Sequence, residues 1–183
     1  VPLLHETRGP WARIHALDRP ALHFGRARLN RFDDPEGGYG VLYVADEAHG
    51  AFIETFGRQL DVRSISVREL SGRALSRIDA TRTLRLVDLA SSGGLARLSA
   101  DARLTSGSAD VARRWSRALW RHPGRADGIY YRVRHDPGRC GCALFDRASG
   151  VLRAAALGRL SDPAHRATLG DVLDTYGFAL LAE

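Results

Sequence analysis

Extended segments outnumber helical ones along this chain and do not alternate with them, an order that restricts the fold more than any other feature of the sequence. Residues 11–17 and 21–24 read as short extended pieces parted by the turn-like Asp18-Arg19-Pro20. Asp33-Asp34-Pro35-Glu36-Gly37-Gly38 is a loop, and the run Gly40-Val41-Leu42-Tyr43-Val44-Ala45 after it is a strand. Further strands are expected at 74–78, 84–89, 128–134, 141–145 and 151–157, with a closing one at 178–181. Helical periodicity is confined to fewer places. Asp46 offers an N-cap for a helix over 47–58, whose Ala48, Phe52 and Phe56 recur at i, i+4 and i+8. A short helix is expected at 94–99. Ser108 caps another, with Val111, Ala112, Trp115, Ala118 and Leu119 on one face, and His122-Pro123-Gly124 ends it. Ser161-Asp162-Pro163 opens the last, which runs to about Tyr176 and stops at Gly177. Regular β-α alternation would give a doubly wound sheet. This order predicts α+β, a mixed sheet core flanked by helices.

No internal repeat, low-complexity tract or long linker divides the chain, and 183 residues can bury a sizeable core. One compact domain over 1–183 is therefore expected, with its core at about 11–181. No apolar run approaches the roughly 18 residues that span a bilayer. No basic stretch followed by an apolar one marks a secretory signal. The cytoplasm is the expected location, and a membrane is not an expected partner.

The formal charge is +6, and every basic residue is Arg. Without a Lys a P-loop is impossible. Arginine suits forked contacts with phosphate, but here it is scattered with no block of five or six, whereas nucleic-acid binders concentrate it in a stripe. Direct nucleic-acid binding is not expected. Cys140-Gly-Cys142 has no second pair, which excludes a four-Cys zinc site and reads as small residues in a strand. No metal site is expected. G-x-G-x-x-G after a strand, G-x-S-x-G and H-E-x-x-H are also absent.

Polar residues in unusual places remain. Glu54 lies about 160–200° around the helix from Phe52 and Phe56. It reads either as a solvated carboxylate or as one beside an open helix face, because Gly50 and Gly57 flank it. A Gly within a helix costs about 1 kcal/mol relative to Ala, so a ligand or another segment should approach there. Tyr43 is either an ordinary strand residue or a ring for stacking on a flat heterocycle. In Arg13-Ile14-His15, alternation turns Arg13 and His15 to one face. Together with Arg31, from Asn30-Arg31-Phe32-Asp33, two arginines aimed at one cleft would form a diphosphate clamp.

These segments resemble the RES-domain family. The likeness lies in Trp11-Ala12-Arg13-Ile14-His15, His23-Phe24-Gly25, Asn30-Arg31-Phe32-Asp33, the run 40–45 and Ala51-Phe52-Ile53-Glu54-Thr55-Phe56. It continues in Arg114-Trp115, Asp127-Gly128-Ile129-Tyr130-Tyr131-Arg132, Arg134-His135-Asp136-Pro137 and Ala143-Leu144-Phe145-Asp146, spanning roughly residues 11–180. Arg13 and Arg31 match the family's arginines and Glu54 its glutamate. Where the family has Ser before Arg-His-Asp-Pro, this chain has Val133.

The resemblance implies an ADP-ribosyltransferase-like fold and the toxin of a bacterial toxin–antitoxin pair. It implies consumption of NAD+, with ADP-ribose passed to phosphate, water or a target protein, and an antitoxin partner carrying a helix-turn-helix region. Glu54, Arg31 and Tyr43 would be catalytic. Arg13, His15, Arg31, Tyr43, Arg134 and position 133 would line the NAD+ site. This agrees with the chemistry of the residues, because cleaving the nicotinamide–ribose bond passes through an oxocarbenium-like cation that a carboxylate stabilises. Two other readings stand beside it: a non-catalytic basic binding protein, and an inactive family member acting only through its antitoxin, which Val133 favours.

Overall fold

The computed structural model describes residues 1–57 and 62–182. The strands are β1 (Leu4–Thr7), β2 (Trp11–Ala16), β3 (Val41–Ala45), β4 (Ser64–Ser66), β5 (Arg73–Ala80), β6 (Leu84–Asp88), β7 (Gly128–Val133), β8 (Asp136–Phe145), β9 (Leu152–Arg159) and β10 (Ala179–Leu181). The helices are α1 (Ala48–Phe56), α2 (Val67–Ser71), α3 (Gly94–Arg97), α4 (Arg103–Ser106), α5 (Ala109–Arg121) and α6 (Arg166–Tyr176). Among the described residues, eight strands form one sheet in the order β1-β6-β7-β8-β3-β2-β5-β9, and β10 pairs with β4 beside it. Within the large sheet β6 and β7 run parallel, while the other pairings are antiparallel. The fold is thus the mixed α+β sheet flanked by helices that the irregular element order predicts.

The apolar pattern decides the layers. β3 is central, so it is buried on both sides: Val41 faces the cluster under α5, Ala45 the cluster under α1 and α6, and Leu42 and Val44 the opposite side of the sheet. On α1, Ala51, Phe52 and Ile53 pack with Ile14, Leu75, Val133, Val172 and Phe178. Phe52 is 1% exposed, and its truncation to Ala would cost about 3–5 kcal/mol. α5 begins at Ser108, whose side chain accepts a hydrogen bond from the Asp110 N–H as expected of an N-cap. α6 ends at Gly177, whose φ of +64° is the left-handed conformation a non-glycine residue adopts at a cost. No helix among the described residues is long and apolar enough to cross a membrane.

Several expectations are corrected. Residues 21–24 form a turn, and only Gly25 bridges to Val41. β1 was not anticipated; it adds to the sheet edge against β6. The N-cap of α1 is Glu47, without a side-chain bond, because the Asp46 carboxylate is taken by the Tyr130 hydroxyl at 3.0 Å. The expected end of that helix at Arg58 lies outside the described residues. On α5 the buried positions are Ala112, Ser116 and Leu119, whereas Val111 is exposed. Pro163–His165 is a 3-10 turn preceding α6.

Candidate active site

The loop carrying Arg31 is fixed by a carboxylate. Asp33 is buried, and its Oδ2 accepts from the backbone N–H of Leu29 (3.0 Å) and Asn30 (2.9 Å), while Oδ1 accepts from the Tyr43 hydroxyl at 2.9 Å. The Tyr43 oxygen in turn accepts from the Phe32 N–H at 2.9 Å. From the other side α5 holds the same loop: Ser116 Oγ donates to the Phe32 carbonyl at 2.7 Å, and Arg113 Nε to the Asn30 carbonyl at 3.0 Å. Arg31 is thereby aimed along the start of α5, where its Nη1 donates to the Gly107 carbonyl at 2.8 Å.

The helix α1 and the strand β7 supply the rest. Ile129, Tyr131 and Val133 alternate onto the sheet face that α1 and α5 cover, and Tyr43 of β3 lies on that same face. The Tyr131 hydroxyl donates to Glu54 Oε2 at 3.1 Å, and its ring leans on Phe32 with centroids 5.0 Å apart. Burial pushes both tyrosine hydroxyls well above their usual range, helped by the charges of Asp33 beside Tyr43 and Glu54 beside Tyr131. Both therefore stay protonated and act as donors. Arg31 lies within the fields of Glu54, Tyr131, Tyr43 and Arg134; partial burial, then Arg134, lower its pKa while Glu54 raises it. An Arg stays charged regardless. His135 is pushed below its usual value by burial first and then by Arg134, Arg63 and Arg31. The result is one tyrosine-held carboxylate facing a group of cations, a charge pattern suited to an anionic substrate that develops positive charge beside the carboxylate.

Of the residues expected from sequence, Glu54, Tyr43 and Arg134 surround Arg31 closely enough to act on its charge, while Val133 is buried in the cluster under α1 beside Gly50. Arg13 and His15 lie elsewhere. Ala12 and Ile14 take the face under α1, which turns Arg13 and His15 to the opposite face with Trp11. There Arg13 contacts the His23 carbonyl at 3.4 Å, and burial lowers its pKa to about 10. His15 Nε2 bonds Ser76 Oγ at 2.9 Å. The glycines flanking Glu54 are also explained by protein contacts. A Cβ on Gly50 would stand 3.0 Å from the Ala45 Cβ and 3.7 Å from Val133, so it is the sheet that approaches α1 at that point. Gly57 is the C-cap residue.

Three contributors escaped the sequence: Asp33 as the organiser of the loop, Tyr131 as the partner of Glu54, and His135 as a neutral imidazole beside the arginines. Period-two alternation from Val133 back to Tyr131 was the available signal for the second. Cys142 is fully buried, which raises its thiol pKa, and Cys140 is partly exposed. Among the described residues, no group of three or more His, Cys, Asp or Glu side chains is placed to hold a metal ion.

A mixed sheet with helices over one face and a tyrosine-held carboxylate within the field of arginines defines the structural class. That fold is shared with a chain of the M. tuberculosis MbcT–MbcA toxin–antitoxin complex, with a TM-score of 0.67 and 17% identity over 93% of this chain and 92% of that one. The family model described as "RES domain" matches residues 10–167, and the chain belongs to that family, as the sequence resemblance implied. A protein of Sinorhizobium fredii named "Probable toxin y4kH" is 34% identical over 118 residues, covering 64% of this chain and 90% of that protein.

Proposed function

We propose that this protein is the toxin of a toxin–antitoxin pair and that it cleaves NAD+ at the nicotinamide–ribose bond. The toxin reading is supported by the relative named a probable toxin and by the fold shared with a toxin–antitoxin complex. The observation that carries the chemistry is Glu54, held by the Tyr131 hydroxyl and set within the field of Arg31.

In this reading Arg31 and Arg134 grip the diphosphate, and the half-buried Tyr43 ring forms a wall of the nicotinamide pocket. The bond between ribose C1 and the pyridinium nitrogen breaks, and its electron pair leaves with nicotinamide, which departs neutral. Glu54 stabilises the cation left on the ribose. Tyr131 keeps the carboxylate in place without removing its charge, because its own proton is held tightly. An oxygen of phosphate or water, or a nucleophilic side chain of a target protein, then bonds to C1 and gives up a proton where it carries one. Position 133 lies two residues beyond Tyr131 on the same strand face, so a family Ser there would bring a hydroxyl towards this region. The partner expected is an antitoxin with a helix-turn-helix region that covers the cleft, and the expected location is the cytoplasm.

The test is nicotinamide release from NAD+ by the purified protein, with and without phosphate, while the ADP-ribose product is followed. Release accelerated by phosphate, with ADP-ribose 1″-phosphate as product, supports a phosphorylase. Release indifferent to phosphate supports hydrolysis or transfer to protein. No release in any of these conditions overturns the enzymatic reading and leaves a protein that acts through its partner alone.

A further inference from the structure

A basic cavity lies at the other end of α5, which at thirteen residues is about 20 Å long, so it is remote from the Arg31 loop docked at its start. The cavity has a volume of about 370 Å³ and is lined by Trp120, Arg121, His122, Pro123, Arg125 and Arg147. We propose that it is a binding site for the phosphate group of a small ligand, separate from the Glu54 site.

Unsatisfied donors point to this. Arg147 stacks over the Trp120 ring at 4.6 Å, and Trp120 stacks on Tyr39 at 4.9 Å with planes 7° apart. Nη2 of Arg147 donates to the Trp120 carbonyl at 2.6 Å, which meets the familiar need for a cation at a helix C-terminus. That contact uses one nitrogen only. Nε and Nη1 of Arg147 and Nε1 of Trp120 are buried with no hydrogen-bond partner. Buried donors without acceptors are rare in folded proteins, and each asks for an explanation such as an ion or ligand.

The acids nearest in charge to Arg147, Asp127 and Asp146, are already engaged with other donors. Asp127 takes Arg82 at 2.7 and 2.9 Å and the Arg85 N–H at 2.9 Å; Asp146 takes Arg26 at 2.7 Å and the Gly40 N–H at 2.8 Å. Arg125 adds a like charge next to Arg147 and sits at a φ of +45°, in a loop folded by its own N–H on the His122 carbonyl. His122 Nδ1 accepts from the Gly124 N–H at 3.0 Å, so the proton of a neutral ring is on Nε2 and available as a donor. The exposed guanidinium groups of Arg121 and Arg125 and the His122 imidazole N–H line the cavity above the half-buried Arg147 cation, a set of donors and positive charge that matches the oxygens of a phosphate. Both faces of the Trp120 ring are covered, so no base can stack there. The site therefore reads the phosphate group and not the rest of the ligand.

The inference does not rest on NAD+ cleavage, and its test is binding. Thermal melting is followed while inorganic phosphate replaces chloride at matched ionic strength, for the wild type, for R121A/R125A and for R31A/R134A. Both residues of the first pair are exposed, so that variant should fold. Phosphate is expected to raise the melting temperature of the wild type and of R31A/R134A alike, and R121A/R125A should lose about two-thirds or more of that rise. NAD+ turnover in R121A/R125A should equal that of the wild type. AMP is the second probe: equal shifts with phosphate and AMP support a site that reads the group alone, and a larger AMP shift lost with the same two arginines overturns that restriction. A phosphate shift that R121A/R125A retains in full overturns the proposal, as does the absence of any shift in the wild type.

Discussion

The hydroxyl of Tyr131, on β7, donates to Oε2 of Glu54, on α1, across 3.1 Å, tying the floor of the sheet to the helix that covers it. Tyr131→Phe removes that donor and leaves the ring against Phe32. A net hydrogen bond to a charged group contributes about 1.5–3 kcal/mol, so nicotinamide release should fall about tenfold or more. Circular dichroism should report an unchanged fold. Full activity in this variant would mean that Glu54 needs no positioning from the sheet.

Glu54→Gln keeps the shape and one acceptor oxygen for the Tyr131 hydroxyl and removes the charge. If the carboxylate stabilises the ribosyl cation, kcat should fall about 10²–10³-fold with little change in KM, as for other preorganised electrostatic groups. Steady-state kinetics of nicotinamide release would show the split. A rise in KM at constant kcat would instead make Glu54 a ground-state binding residue.

The segments carrying Glu54 and Tyr43 were legible because their type can be read locally, a helix over 47–58 and a strand over 40–45. Arg31, by contrast, was expected in an extended stretch and lies in a turn, and Arg134 came only with the family resemblance. The partners that give these residues their geometry were not legible. Tyr131 meets Glu54 across a separation of 77 residues, and no local pattern encodes that contact. Asp33 reads as a turn residue, yet it is 1% exposed and holds two backbone N–H groups and the Tyr43 hydroxyl. The assignment of Arg13 and His15 to the cleft came from the correct alternation but the wrong face, since a strand pattern alone does not say which side of a two-sided core the ligand occupies. Ile14, packed against α1, decides it. The strand β1 escaped because Leu4–Thr7 is a half-buried edge segment with only a weak apolar signal.

Burial, then Arg134, Arg63 and Arg31, hold His135 below the ordinary value of 6.5, so it is neutral near pH 7 in the folded chain. As pH falls below 6.5 the unfolded chain takes up this proton first, so stability from this group is full above that value and is lost as the pH drops towards the folded pKa. An anion bound among these arginines offsets their repulsion and should raise the pKa of His135. Proton NMR of the imidazole, with and without ADP-ribose, would follow it. A midpoint that does not move on saturation would place the diphosphate elsewhere.

Asp33→Asn keeps the size of the side chain but puts an amide opposite backbone donors that a carboxylate satisfies. One of the contacts with Leu29, Asn30 and Tyr43 must break, and the loop bearing Arg31 loosens. Because Arg31 is assigned to binding the diphosphate, KM for NAD+ should rise about tenfold while kcat changes less. Equal losses in both would show that the loop acts on the transition state rather than on binding.

Val133 is 1% exposed and packs beside Gly50 under α1, at the position where the family has Ser. Val133→Ser exchanges two methyl groups for a hydroxyl in a tightly filled place, which should cost about 1–3 kcal/mol and lower the melting temperature. If position 133 serves the reaction, the new hydroxyl, on the Tyr131 face of β7, hydrogen-bonds an incoming acceptor oxygen. Phosphate-dependent nicotinamide release should therefore rise several-fold despite the lost stability, a change of about 1 kcal/mol in the barrier. Turnover and melting are measured on the same preparation, because the two effects have opposite signs. A variant that is less stable and no faster in phosphate would show that position 133 serves packing here, and that this chain reaches its activity without the family hydroxyl.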